Sequence, residues 1–519
     1  MPPTLRRTMR RLALAVALIF PLAVQAHPVA TTTGLVEGVR EGAVEVYRGL
    51  PFAAPPLGEL RWRPPQPPVP WMGVRRVDAF APACLQTGVS MPGETPPRTS
   101  EDCLYLNVWT PAHRPGARLP VIVWIHGGGY ANGATAMPLY AGDRLARRGV
   151  VVVSVAYRLG PLGFLAHPEL TAESPRHASG DYGLMDQVAA LQWVRANIAA
   201  FGGDPARVTI AGQSAGAMSV SLMMASPLAR GLFQAAIGQS GGVFEPLQLA
   251  PGYWLANAEK DGQAYAASLG AASIAELRRR PAADLLGGKA GLVTHPVIES
   301  YVLPESPYDA YRAGHMANVP ILVGSNAEEA QSLVDLKPVK AASFEADLTA
   351  AFGPLPPAIM AGYPHATDVE ARQARAHLER DLRFGWDMWA WARLQAAAGR
   401  TAYAYHFEAE PPFPAASVRA GWGASHFAEL WYVFDHLDQE TWAWTPADRR
   451  LADAMAGYWT NFAKSGDPNG PGLPRWPAFT GPEGPVMRLG GTNQAGKTPD
   501  LATLGVLDAV YGQLRGGKD

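Results

Sequence analysis

Residues 212–216 read Gly-Gln-Ser-Ala-Gly, behind the apolar run Val208 to Ala211 and ahead of a helix-capable run from Ala215 to Met224. A serine with glycines two positions away on both sides fits a sharp strand-to-helix turn, because small neighbours let backbone segments approach and leave the hydroxyl exposed. Ser214 is therefore a candidate nucleophile, although the same five letters also suit an ordinary turn with a helix-capping serine. A second motif bears on that choice. His126-Gly127-Gly128-Gly129 directly follows Pro-Val-Ile-Val-Trp-Ile, and three glycines free the backbone to aim successive N–H groups at a developing negative oxygen. Gly128 and Gly129 are the expected donors, with the N–H of Ala215, at the start of the following helix, as the third. The glycines also suit a flexible turn; a Walker phosphate loop would require a Gly-Lys-Ser/Thr ending, which is missing.

Such chemistry needs a rigid frame. Leu104 to Trp109, Pro120 to Ile125 and Val150 to Ala156 are apolar, β-branched runs, the last two dense enough for strands buried on both faces. Leu139 to Arg148 and Tyr182 to Ala200 have helical character, and Ile321 to Val323 and Tyr403 to Phe407 read as further strands. Pro281 is expected to break the helix-forming stretch from Ala271 to Leu286; residues 341–400 read as mainly helical, as does the stretch after Pro446. Alternating strands and helices predict an α/β fold with a large, mostly parallel sheet flanked by helices. No repeat or low-complexity linker divides residues 27–519, so one catalytic core with helical and loop insertions is expected.

The composition fits this reading. Of 519 residues, 48% are hydrophobic and 17% charged, which supplies a core and excludes global disorder. Gly 54 and Pro 48 imply long shaped loops, and a net charge of −1 offers no field for nucleic acid or an anionic membrane. Arg6, Arg7, Arg10 and Arg11 precede an apolar run from Leu12 to Val24, followed by Gln25 and Ala26. That run is about 13 residues against the ~20 of a membrane span, so residues 1–26 read as a cleaved signal peptide and the destination as periplasm or secretion. Cys84 and Cys103 are the two cysteines. In an oxidising compartment a disulfide between them would close a surface loop and stabilise the fold by roughly 3 kcal/mol.

The stretches Glu101 to Pro111 (EDCLYLNVWTP), Trp124 to Tyr130 (WIHGGGY) and Phe201 to Ala217 (FGGDPARVTIAGQSAGA) resemble the type-B carboxylesterases, the α/β-hydrolase branch that includes cholinesterases and bacterial para-nitrobenzyl esterases. The likeness runs through the mature chain from GLVEGV and YRGLPFAAPPLGELRW onward. It implies a triad. Gly324 to Ala330 resembles the family motif that carries the acid, placing that role on Glu329, and Ala424 to Glu429 resembles the motif of the histidine, placing it on His426. Ser214, Glu329, His426 is also the chain order of an α/β-hydrolase triad. Read without the family, Glu329 is one of a surface acidic pair and His426 one of 12 histidines. Ser240 resembles a family serine behind the triad that can hydrogen-bond the acid; it also suits a turn.

Several positions depart from the family pattern. Gln213 stands where a glutamate is usual, Phe427 and Ala330 replace glycines, and Glu299 occupies an aspartate position. Gln213 removes a charge beside the nucleophile, and Phe427 can narrow the entrance. Phe384, Trp386, Trp389 and Trp391 suit either a substrate pocket or a packed insertion. Asp181, Asp186 and Arg158 read as polar contacts of the core. The resemblance implies a serine esterase acting on small to medium neutral esters with water, as monomer or homodimer, without metal or organic cofactor, nucleic acid or membrane span. Amide or carbamate hydrolysis through the same site is the alternative, and a non-catalytic binding protein on this fold is the more distant one.

Overall fold

Along the strand Leu119–Ile125, Val121, Val123 and Ile125 enter one hydrophobic core while Ile122 and Trp124 enter another. A strand turns successive side chains to opposite faces, so a run apolar at every position demands cover on both sides. Other strands of the same sheet repeat the division. Val151, Val153 and Val155 lie in the first core and Val152 in the second; Ile321 and Val323 lie in the first and Leu322 in the second. These residues belong to a computed structural model describing residues 24–111, 116–491 and 493–516. The expected signal peptide lies outside the described residues as far as residue 23.

Twelve strands form the central sheet among the described residues: β1 (Val24–Gln25), β2 (Val39–Glu41), β3 (Val44–Pro51), β4 (Tyr105–Thr110), β5 (Leu119–Ile125), β6 (Val151–Val155), β7 (Gly203–Gln213), β8 (Ala235–Gln239), β9 (Ile321–Asn326), β10 (Ala402–Phe407), β11 (Val486–Leu489) and β12 (Gln494–Gly496). Their spatial order is β1-β2-β3-β4-β6-β5-β7-β8-β9-β10-β11-β12. All neighbours from β6 to β11 are parallel, while β1 to β4, the β4–β6 pair and the β11–β12 pair are antiparallel. The expected large sheet is present, parallel through its centre and mixed as a whole.

Four helices cover the part of the sheet that matters for the site. Leu184, Val188 and Leu191 of α1 (Tyr182–Asn197), Val220 and Met223 of α2 (Ala215–Ala225) and Trp391 of α3 (Trp386–Ala397) pack into the first core. Leu451, Met455, Tyr458, Trp459 and Phe462 of α4 (Pro446–Ser465) fill the second. Each such side chain contributes about 1.5–3 kcal/mol on burial. Helix α4 starts at a capping box between Thr445 and Asp448, with Pro446 at its first position, and stops at Gly466 in the left-handed region (φ 74°).

Most expected elements occur, with one correction. Leu139 to Arg148 is not continuous: a 3₁₀ turn (Pro138–Tyr140) and a single helical turn (Asp143–Arg147) flank Gly142, which packs against Val152 and Trp109 so closely that a Cβ would lie 2.6 Å from Val152 Cβ. Of the aromatic run, Trp386, Trp389 and Trp391 are packed inside. Only Phe384 faces the catalytic cavity. Strands β8, β11 and β12 carried no signal strong enough to place them. Pro281 does separate a helix (Ile274–Arg279) from a 3₁₀ turn (Ala282–Leu286), and Arg158 grips Asp186 with two 2.7 Å hydrogen bonds in the interior.

Candidate active site

Ser214 joins β7 to α2 with φ 57° and ψ −128°, a conformation that β-carbons disfavour. Its N–H donates to Gln239 O at 2.8 Å on the adjacent β8. The flanking glycines are required by space. A Cβ on Gly212 would stand 2.4 Å from the backbone of Gly216, and one on Gly216 would stand 2.1 Å from Ile125 O. The turn therefore lies hard against the end of β5, where the His126–Gly129 loop begins.

That loop is clamped from two sides. His126 stacks on Tyr157 with ring centroids 4.6 Å apart, and the Tyr157 hydroxyl donates to His126 O at 2.8 Å. Burial pushes the imidazole of His126 down to about 4, so it is neutral at ordinary pH. From the other side, Gln86 donates to Gly133 O at 2.7 Å and accepts from Gly133 N–H at 2.8 Å, as a neighbouring peptide group would. Asn132 Oδ1 accepts from Gly88 N–H at 3.0 Å. Gln86 and Gly88 belong to the loop closed by Cys84 and Cys103, which are bonded as expected.

His426 Nδ1 lies 2.6 Å from Glu329 Oε2, and both side chains are buried. Glu329 Oε1 accepts the N–H of Asn326 at 2.8 Å, which fixes the carboxylate at the end of β9. The adjacent Glu328 turns away and accepts from Ala424 N–H at 2.9 Å. Phe384 stacks on the imidazole at 4.5 Å, and Phe427, itself in the left-handed region (φ 73°), meets its edge at 4.4 Å. The Gln213 amide nitrogen lies 3.1 Å from His426 Nε2. No hydrogen bond joins Ser214 to His426 among the described residues.

One expected contact is absent: Ser240 Oγ is buried with no hydrogen-bond partner among the described residues, and the oxygens of Glu329 are held by Asn326 and His426. A carboxyl to which the sequence assigned no role stands nearby instead. Glu429 accepts from Gln239 at 3.0 Å and from Asn326 Nδ2 at 2.6 Å. Burial, together with the charge of Glu329, pushes it up to about 7. Its position three residues after His426 was visible in the sequence; its partners, on β8 and β9, were not.

Ser214, Ala215, Gly128, Gly129, His426 and Phe427 all line one cavity of about 500 Å³. Met218, Leu333, Phe352, Leu355, Leu382 and Phe384 make its wall largely apolar, a composition suited to binding a small organic molecule. Arg383, Glu245 and Asp387 are its charged side chains. Burial and the neighbouring Glu245 push Asp387 well above the usual carboxylate range. No cluster of His, Cys, Asp and Glu able to hold a metal ion occurs among the described residues.

The profile of the carboxylesterase family matches residues 25–504. The chain belongs to that family. This carboxylesterase is 38% identical to the fumonisin B1 esterase of Sphingopyxis macrogoltabida over 93% of its own length and 92% of that protein's. It is 35% identical to the para-nitrobenzyl esterase of Bacillus subtilis (strain 168), with 87% and 93% covered. A solved para-nitrobenzyl esterase structure superposes with a TM-score of 0.80 at 33% identity, covering 92% of this chain and 99% of that one. The fold is that of the α/β-hydrolases and the activity is hydrolysis of carboxylic esters.

Proposed function

We propose that this carboxylesterase works through an acyl-enzyme on Ser214. Its Oγ attacks the ester carbonyl carbon while His426 Nε2 takes the hydroxyl proton, and Glu329, bound to Nδ1, holds the tautomer and favours the imidazolium. The carbonyl oxygen, now negative, is held by the N–H groups of Gly128, Gly129 and Ala215. Collapse of this intermediate breaks the bond to the alcohol, which leaves with the proton from His426. Water, deprotonated by the same imidazole, then attacks the acyl carbon and releases the acid and free Ser214.

The observation that carries this reading is the 2.6 Å contact between His426 and Glu329 directly behind a cavity lined by Ser214 and the three donor residues. All these groups come from one chain, so a monomer can act and a homodimer is not needed for chemistry. Small to medium neutral esters suit the apolar wall. The relatives named for fumonisin B1 and for para-nitrobenzyl esters support the ester class across quite different substrates. The arginine-led apolar run at the N-terminus and the disulfide support export to the periplasm or beyond. The test is turnover of a nitrophenyl ester. Ser214→Ala and His426→Ala should each lower kcat on the order of 10⁴-fold, and the double variant little further, because both serve one route. Near wild-type kcat in either folded variant would refute the mechanism.

A further inference from the structure

A second cavity, of about 560 Å³, lies beside the catalytic one, and Val89 and Ser90 line both. The shared wall is thus a piece of the disulfide-closed loop, and both residues are only partly buried. Each cavity alone is large enough for a drug-sized ligand. Beyond the wall, Phe80, Met91, Met137, Leu139 and Trp431 supply apolar surface.

The charged side chains of this second cavity are Glu94, Arg98, Arg419 and Glu440, of which Arg98 is exposed. Arg419 is occupied: it lies over the rings of Trp431 and Trp442 at 5.5 and 5.6 Å and 3.7 Å from Glu440. Glu94 accepts the N–H of Met91 at 3.1 Å; Arg419 makes no ion pair with it among the described residues and acts on it from farther away. Burial pushes its carboxyl up to about 7, which makes it both a donor and an acceptor near neutral pH. Apolar surface beside one carboxyl outside any ion pair matches a hydrocarbon chain that carries a hydroxyl.

We propose that the second cavity is a substrate subsite, which receives the aliphatic arm of an extended ester reaching past Ser90 from the catalytic cavity, with a hydroxyl on that arm meeting Glu94. The proposal rests on the serine-esterase reading above. Ala81 and Ala136 line the second cavity and not the catalytic one, and both are partly exposed, so tryptophan at either fills the chamber without entering the closed core.

The experiment compares nitrophenyl acetate, nitrophenyl decanoate and decyl acetate, the two long esters placing the arm on the acyl or the alcohol side. Ala81→Trp and Ala136→Trp should leave kcat/KM for nitrophenyl acetate within about two-fold and lower it at least ten-fold for one long ester, through KM. Glu94→Leu should abolish any preference for the ω-hydroxy form of that ester over the plain one. Decane-1,10-diol should inhibit hydrolysis of the long ester by the wild type at concentrations that leave nitrophenyl acetate untouched. Parallel losses for long and short esters, or equal inhibition of both by the diol, would overturn the subsite. Failure of the wild type to hydrolyse nitrophenyl acetate would instead overturn the serine-esterase reading.

Discussion

Two adjacent carboxylates, Glu328 and Glu329, compete for the acid's place, and the backbone turn between them decides. Glu329 reaches the imidazole, while Glu328 bonds the peptide of Ala424. Glu329→Gln should therefore lower kcat on the order of 10³- to 10⁴-fold, since the charge opposing the imidazolium is lost, whereas Glu328→Gln should stay within a few-fold. Reversal of the two would reassign the acid. Glu429 gives a pH effect. Its carboxyl is raised to about 7 from an ordinary 4.5, so between these values the folded protein keeps a proton that the unfolded chain has lost. Stability from this group is full below the unfolded value and is lost as pH rises through 7. The thermal midpoint of the wild type should thus fall relative to Glu429→Gln from pH 5 to pH 8; a constant difference would show that Glu429 does not titrate there. Ser214, Gly128 and Gly129 were legible because their motifs are local. Glu429 and Gln86 were not, because their partners lie 190 and 47 residues away in the chain. The choice the sequence left open at Ser240 has the same root: whether its hydroxyl meets Glu329 is a question of three-dimensional neighbours.

At the scale of elements, the disulfide-closed loop holds the glycine-rich loop after β5 in place through Gln86 and Asn132. Gln86→Ala should misplace the Gly128 and Gly129 donors, which act only on the charged intermediate. The expected result is a fall in kcat of about 10- to 100-fold with KM little changed, and an equal loss of affinity for a trifluoromethyl ketone that mimics the intermediate. A rise in KM alone would assign Gln86 to substrate binding instead. Replacing both cysteines by serine should lower stability by roughly 3 kcal/mol in denaturant titration and leave most turnover in the folded fraction. Strands such as β5 and β6 were legible because every residue of β5 and all but Ser154 of β6 are apolar. β8 (Ala-Ala-Ile-Gly-Gln) was not, because small residues carry little hydrophobic signal; its identity comes from packing, with Gly238 so close to Trp391 that a Cβ would lie 2.5 Å from the ring.

Across the whole molecule, a single sheet gathers strands from residue 24 to residue 496, and the site forms where β5, β7, β8, β9 and β10 end side by side. Sequence alternation disclosed the α/β class. It could not disclose the order β6-β5-β7, which brings the Gly-rich loop against the Ser214 turn, since strand adjacency depends on crossovers and not on local pattern. No helix among the described residues is long and apolar enough to cross a membrane. The most direct measurement is covalent: the protein is treated with an organophosphonate, the adduct mapped by mass spectrometry, and residual esterase activity followed in parallel. One adduct on Ser214, rising in step with loss of activity and absent from a folded Ser214→Ala variant that no longer hydrolyses esters, is the predicted result. An adduct on another residue that accounts for the loss, or ester hydrolysis persisting in folded Ser214→Ala, would contradict catalysis through Ser214.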